Sequence, residues 1–239
     1  MKLLAFETAT EACSVAVWVD GAVRERFEIA PRRHAELALP WAEQLLAEAG
    51  VAKAQLDAIA VGRGPGAFTG VRLAIAIAQG IALALDRPVV PVSTLAVLAA
   101  GLRGVGARSG QPEHIFAAID ARMGEVYSAA FERRADELLA LSQETVSPPG
   151  AVVLPGDAGG WQGVGTGFAA GEAALQARFG SRLAGVDAAA LPHAADLARL
   201  AAIAFERGEA LPPERIEPAY LRDNVALTLV EQQALRDSR

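Results

Sequence analysis

Apolar residues along the chain come in short runs broken by glycine, proline and charged turns, and the spacing inside each run predicts its element. Lys2 to Phe6 reads as a buried strand, Cys13 to Val19 as a second, and Val23 to Ile29, after the turn at Asp20-Gly21, as a third. The next segment, His34 to Ala49, reads as a helix stopped by Gly50, with Leu37, Trp41 and Leu45 on one stripe and Pro40 interrupting or kinking it. Ala58 to Val61 is a further strand, and it feeds a glycine-dense loop, GRGPGAFTG.

The helix behind that loop, Val71 to Leu85, is apolar on two sides. Val71, Ala74, Ile75, Ala78 and Ala82 share one face, while Leu73, Ala76, Ile77, Gly80 and Ala84 share the opposite one. A helix of this kind needs cover on both faces, from its own sheet on one and from a neighbouring helix or another molecule on the other. The small residues Ala76, Gly80 and Ala84, four apart, let a second helix come close, so the face with Leu73, Ile77, Trp41 and Leu45 is the candidate partner surface. Pro88 to Val92 then reads as a strand, with Ser93-Thr94 capping a helix from Leu95 to Leu102.

Gly101 to Pro112, rich in glycine and basic side chains, reads as a linker. A boundary there divides the chain into a partner-binding lobe, residues 1–103, and a smaller lobe, residues 104–239, whose C-terminal helix can pack back on the first. The segment after the linker echoes the beginning. AFETATEACSVAV and AAIDARMGEVYSAA both run strand, carboxylate, polar turn, strand, which places Glu7 and Asp120 in equivalent positions. Val164 to Gly167 leads into a helix, Phe168 to Phe179, as the first glycine loop does. The repetition suggests one duplicated α/β unit with a cleft between the copies. The last helix runs from Pro192 to Gly208 with Leu197, Leu200, Ala201 and Ala204 on one face, and Tyr220, Arg222 and Asp223 come after it as helix-end or partner-contacting residues.

Composition narrows the function. The 239 residues are 52% hydrophobic and 5% aromatic, so the core is built from Ala, Leu, Val and Ile. A formal charge of -6 argues against a stand-alone nucleic-acid binder. Cys13 is the single cysteine, which leaves no internal disulfide and suits a reducing compartment. Glu7 interrupts any signal-peptide core, and Leu73 to Leu85 is short for a membrane span, so the expectation is a cytoplasmic protein with no membrane contact.

The candidate chemistry lies in the turns. A strand, loop and helix can grip phosphate, yet no lysine lies between Gly62 and Gly70, and the glycines do not give a dinucleotide fingerprint. Glu7, Thr8 and Thr10 could meet a phosphate or hydrated metal, or could cap their own turn. Together with Gly64, Gly66, Thr69, Asp120, Gly165 and Gly167 they are the nucleotide-binding candidates, in vestigial form. His34, His114 and His193 are too scattered for a helical metal pair, and no Ser or Cys nucleophile has a local base, so neither a catalytic residue nor a metal ligand is assigned.

Seven strings in order, ETATEACSVAV, RRHAELALP, GRGPGAFTGVR, VSTLAVLA, AIDARMGEVY, LPHAADLA and PAYLRD, resemble the bacterial TsaB (YeaZ) family of tRNA threonylcarbamoyladenosine biosynthesis over nearly the whole chain. The resemblance implies a two-lobed actin, Hsp70 and sugar-kinase (ASKHA) fold, with two ribonuclease-H-like domains of mixed sheets and flanking helices. It further implies a non-catalytic subunit that pairs with the paralogue TsaD, which transfers threonylcarbamoyl to adenosine 37 of tRNA. The ATPase TsaE joins, the chain alone forms a homodimer through the same first-lobe surface, and tRNA is met only through the complex. No cofactor is firmly implied, with ATP or ADP and Mg left to the level of the complex. Glu7 departs from the aspartate usual at that place, one methylene longer, which would displace a metal-bound water. The alternative is an autonomous ATP-dependent kinase of the same fold.

Overall fold

The computed structural model describes residues 1–102, 113–135 and 137–222. The boundary expected at 103/104, and Asp223, lie outside the described residues. The first part of the chain folds as β1 (Lys2–Glu7), β2 (Ala12–Val19), β3 (Ala22–Ile29), α1 (His34–Glu48), β4 (Ala58–Gly62), α2 (Phe68–Leu85), β5 (Val89–Val92) and α3 (Thr94–Gly101). The second comprises β6 (Glu113–Arg122), β7 (Glu125–Arg134), β8 (Glu137–Ala140), β9 (Thr145–Ser147), β10 (Trp161–Val164), α4 (Ala170–Phe179), β11 (Leu183–Asp187) and α5 (Ala194–Glu206).

The two sheets are copies of one topology. The first has the order β3-β2-β1-β4-β5, with β1 antiparallel to β2 and parallel to β4. The second, read from its far edge, is β8-β7-β6-β10-β11, with β6 antiparallel to β7 and parallel to β10. Thus β6 stands where β1 stands, and Asp120 near its end occupies the place of Glu7. The copies differ by β9, an added strand antiparallel to β7, and in their helices: no α-helix corresponding to α1 occurs among the described residues between β9 and β10.

Side chains alternate across each strand, as the pleat requires. From β1, Leu4 and Phe6 enter the core under α1 and α2, whereas Leu3 and Ala5 face α5. That second face is lined by Ala5, Ala16, Ala58 and Ala60, and α5 presents Ala194, Ala198 and Ala201 to it. Small residues on both sides let helix and sheet approach closely, which accounts for the alanine-rich composition. The second lobe uses bulk instead: Phe116, Trp161, Phe168 and Phe179 meet edge to face under α4.

Two helices cross between the copies. Leu95 and Leu98 of α3 pack on the second sheet, while Val97 joins the core of the first. Ser93 caps α3 by accepting from the Ala96 amide at 3.2 Å, and Arg133 of β7 donates to the carbonyls of Ala99, Ala100 and Leu102 at its other end. In return α5 covers the first sheet and contacts α3. A strap over residues 211–222 completes the link. Leu211 pairs with Val89, Gln79 of α2 donates to the Pro213 carbonyl at 2.8 Å, and Ala219 donates to the Arg63 carbonyl at 2.8 Å. The strap ends with Arg222 on Glu125 at 2.6 Å.

The helix α1 runs without a break through Pro40, forgoing only the bond that residue cannot donate to the Glu36 carbonyl. Phe68 to Gly70 extend α2 beyond the apolar run, giving 18 residues. By length and composition alone that helix would suit a membrane span, contrary to the expectation from the run, but its inner face is committed to the first sheet.

Candidate functional site

The glycine loop after β4 packs on the turn after β1, backbone against backbone. Thr8 Oγ1 donates to the Gly70 carbonyl at 2.7 Å, and the Ala67 amide donates to the Ala9 carbonyl at 2.7 Å. A Cβ on Gly70 would lie 2.0 Å from the Thr8 carbonyl oxygen, and one on Gly66 would lie 2.4 Å from that of Ala9. Gly64 is buried with φ +90°, and its carbonyl accepts from the Thr94 amide. The glycines are therefore needed for backbone-to-backbone contact. Thr10 Oγ1 accepts from the Ala12 amide, and His34 Nε2 donates to the Thr10 and Ala12 carbonyls at 3.0 and 3.2 Å, tying α1 to the same turn.

Glu7, the first of the nucleotide candidates, is enclosed. Its side chain turns into the lobe and is 1% exposed. One oxygen accepts from the Ala9 amide at 2.8 Å and the other from Thr94 Oγ1 at 3.1 Å. Gly62 leaves the room, since a Cβ there would sit 2.0 Å from Glu7 Oε2. Burial pushes the carboxyl up to about 7, against the lowering effect of these hydrogen bonds. Gly62 and Thr94, which sequence reasoning did not assign to Glu7, are thus the residues that define its role. Strand spacing could not find them, because they come from β4 and α3.

The second lobe repeats the closed turn with different side chains. A Cβ on Gly165, where φ is +105°, would lie 2.3 Å from the Ala118 carbonyl oxygen, and one on Gly167 would lie 2.7 Å from Ala118 Cβ. Thr166 Oγ1 accepts from the Asp120 amide at 3.2 Å. Asp120 is half-buried and accepts from the Arg122 amide and guanidinium at 2.8 and 3.0 Å. Of the nucleotide candidates only Thr69 is exposed, on the first turn of α2.

The partner-surface candidates separate differently. Val71, Ala74, Ile75, Ala78 and Ala82 are buried, while Ala76, Gly80 and Ala84 face solvent and Leu73 and Ile77 are half-buried beside them. Trp41 is half-buried against the core, and Leu45, at 1% exposure, is a core residue with no outward surface, which removes it from the candidates. The structure adds Phe68 and Leu83, 62% and 64% exposed. Extending the spacing-four row of Ala76, Gly80 and Ala84 backwards reaches Arg72 and Phe68, so the signal was present in the sequence. Arg72 lies 3.7 Å over the Phe68 ring and donates to the Tyr220 hydroxyl at 2.6 and 2.9 Å, joining the strap to this surface.

A groove of about 940 Å³, which sequence reasoning missed, lies between Phe131 and Leu138 on one wall and Leu200 and Ile203 of α5 on the other. Arg63 to Glu144 at 3.0 Å and Arg207 to Glu137 at 2.7 Å bridge it. No group of three or more His, Cys, Asp or Glu side chains among the described residues is arranged to hold a metal ion.

Two mixed sheets of matching strand order, two crossing helices and glycine turns packed backbone to backbone define a two-lobed α/β protein with flanking helices. Residues 27–229 match the family model described as TsaD, tRNA N6-adenosine threonylcarbamoyltransferase. The tRNA threonylcarbamoyladenosine biosynthesis protein TsaB of Escherichia coli K12 is 42% identical, over 95% of this chain and 96% of that one. Its counterpart from Haemophilus influenzae is 38% identical, over 94% of this chain and 95% of that one. The solved structure of YeaZ from Pseudomonas aeruginosa aligns with a TM-score of 0.80 and 46% identity, covering 92% of this chain and 99% of that one. The chain belongs to the TsaB (YeaZ) branch of the TsaD family.

Proposed function

We propose that this protein serves the formation of N6-threonylcarbamoyladenosine in tRNA as a subunit without a catalytic site of its own. It pairs with the transferase paralogue TsaD, with the ATPase TsaE joining the pair, and meets tRNA only through that assembly. The observation that carries this reading is the outer face of α2, where Phe68, Ala76, Gly80, Leu83 and Ala84 leave an apolar row uncovered. A helix that is apolar on both sides gains from a second apolar surface against the open one. Gly80 has nothing within 4 Å of where a Cβ would stand, so a partner helix can come close to its backbone. In the absence of TsaD the same face pairs two copies of the chain.

Closed glycine turns and a buried Glu7 weigh against an autonomous kinase, because the groups that reading needs are already bonded within the lobes. The test is Gly80→Arg, measured for co-purification with TsaD and for threonylcarbamoyl transfer to tRNA in the reconstituted assembly. The expected result is loss of both with an unchanged circular-dichroism spectrum and a cooperative melt. Normal pairing and transfer by a folded Gly80→Arg protein would remove α2 from the interface.

A further inference from the structure

The cluster that anchors the start of α5 plays no part in the proposed pairing. Ser14 Oγ on β2 accepts from the Ala194 amide at 2.8 Å and donates to Glu25 Oε1 on β3 at 2.7 Å. Glu25 Oε1 also accepts from the Ala195 amide at 3.0 Å, and Glu25 Oε2 meets His193 Nδ1 at 3.0 Å. The His193 ring stacks on Phe27 with centroids 4.0 Å apart and an interplanar angle of 11°. Three residues of the first sheet thus grip a helix that reaches them from the second lobe. Ser14 is fully buried, while the His193 side chain keeps 39% of its surface in contact with water.

We propose that Ser14, Glu25 and His193 form a proton-operated latch, in which protonated His193 holds the start of α5 on the first sheet and deprotonation loosens it. The hydrogen bond from Nδ1–H can survive loss of the ring's charge, but the ion pair cannot, so the latch weakens without vanishing. The groups facing the ring are Glu25 from β3 and Asp196 from α5, the latter paired with Arg199 at 2.8 Å, while β2 contributes the uncharged Ser14. Both carboxylates favour the imidazolium.

The direction is set by the two partners. The hydrogen bond and charge of Glu25 raise the His193 pKa against the opposing cost of burial. Against its own burial, Glu25 is held below the ordinary carboxylate range by His193, the Ala195 amide and Ser14. A raised histidine supplies stability that is complete below its unfolded value and is lost as pH rises through its folded value. The latch is therefore firm in mild acid, above the ordinary carboxylate range, and slackens towards alkaline pH.

The test is NMR on the full chain, following the His193 ring and the hydrogen exchange of the Ala194 and Ala195 amides from pH 5 to 9, with intrinsic exchange chemistry divided out. Opening at these amides is expected to increase about twofold to fivefold through the His193 transition. In Glu25→Gln the ring should titrate nearer the ordinary histidine value, about 6.5. His193→Phe keeps the stack on Phe27, folds without a titrating ring, and should give a flat opening profile. A flat profile in the native protein, or the native rise persisting in His193→Phe, overturns the latch. An unchanged His193 titration in a folded Glu25→Gln protein does so as well.

Discussion

The opening strands of the two lobes end in a carboxylate at matching places, and the two carboxylates have opposite surroundings. Glu7 is enclosed, bonded to the Ala9 amide and to Thr94 at the start of α3. Asp120 stays partly in water and serves its own turn through Arg122. The glycine turns beside them did not diverge in this way. Gly66 and Gly70 press on Thr8 and Ala9, and Gly165 and Gly167 press on Ala118. Backbone contact at a closed turn admits no side chain and persists in both copies, whereas the carboxylate beside it was free to take a different task. In the first lobe that task is to hold the crossing helix α3.

The sharpest way to break this comparison is Gly70→Ala. Its Cβ would meet the Thr8 carbonyl oxygen at 2.0 Å with backbone on both sides, so the expected loss is about 3 kcal/mol or more, read from urea unfolding. A loss under about 1 kcal/mol would show that the turn can yield.

Glu7→Gln tests the enclosed carboxylate through pH. The native state holds this proton up to about 7 while the unfolded chain releases it near 4.5. The stability that comes from the held proton is present below about 4.5 and is lost as pH rises to about 7. The loss is about 3 kcal/mol, and it levels off above that range. The unfolding free energy measured across this window should fall in the native protein as pH rises and fall less steeply in Glu7→Gln. Equal slopes would place the Glu7 carboxylate in contact with water.

Two smaller changes sharpen the contrast. Gly80, ten residues after Gly70 on the same helix, has open space around it, so Gly80→Ala should raise the melting temperature, by about 0.5 to 1 kcal/mol in stability, through helix propensity. Asp120→Asn, which keeps an acceptor for the Arg122 amide and gives up an exposed ion pair, should change stability by less than about 0.5 kcal/mol in a chemical melt. A large loss there would mean that the second carboxylate also holds something beyond its turn.

Much of the fold is legible in the sequence. Short apolar runs marked β1, β2 and β6, the stripe of Val71, Ala74, Ile75, Ala78 and Ala82 marked the inner face of α2, and the echo of ETATEACS in DARMGEVYS pointed to duplication. The candidate site was legible only in part. Leu45 shares the helical stripe of Trp41, yet it lies beneath it, because a stripe gives the azimuth of a residue and not its depth. Gly66 and Gly70 looked like a phosphate grip because close approach to a ligand and close approach to another turn call for the same residue.

The sequence by itself determined the elements, their inward faces, the repeat and the family, because periodicity and local strings are properties of neighbours along the chain. Only the tertiary structure decided that α3 crosses to the second sheet beside the returning α5, that the strap of residues 211–222 flanks α2, and that Glu7 points inward to Thr94. Each of those depends on groups far apart in sequence, 87 residues in the case of Glu7 and Thr94, meeting in space. No local pattern records such a meeting, since its energy exists only once both sheets and both crossing helices are in place.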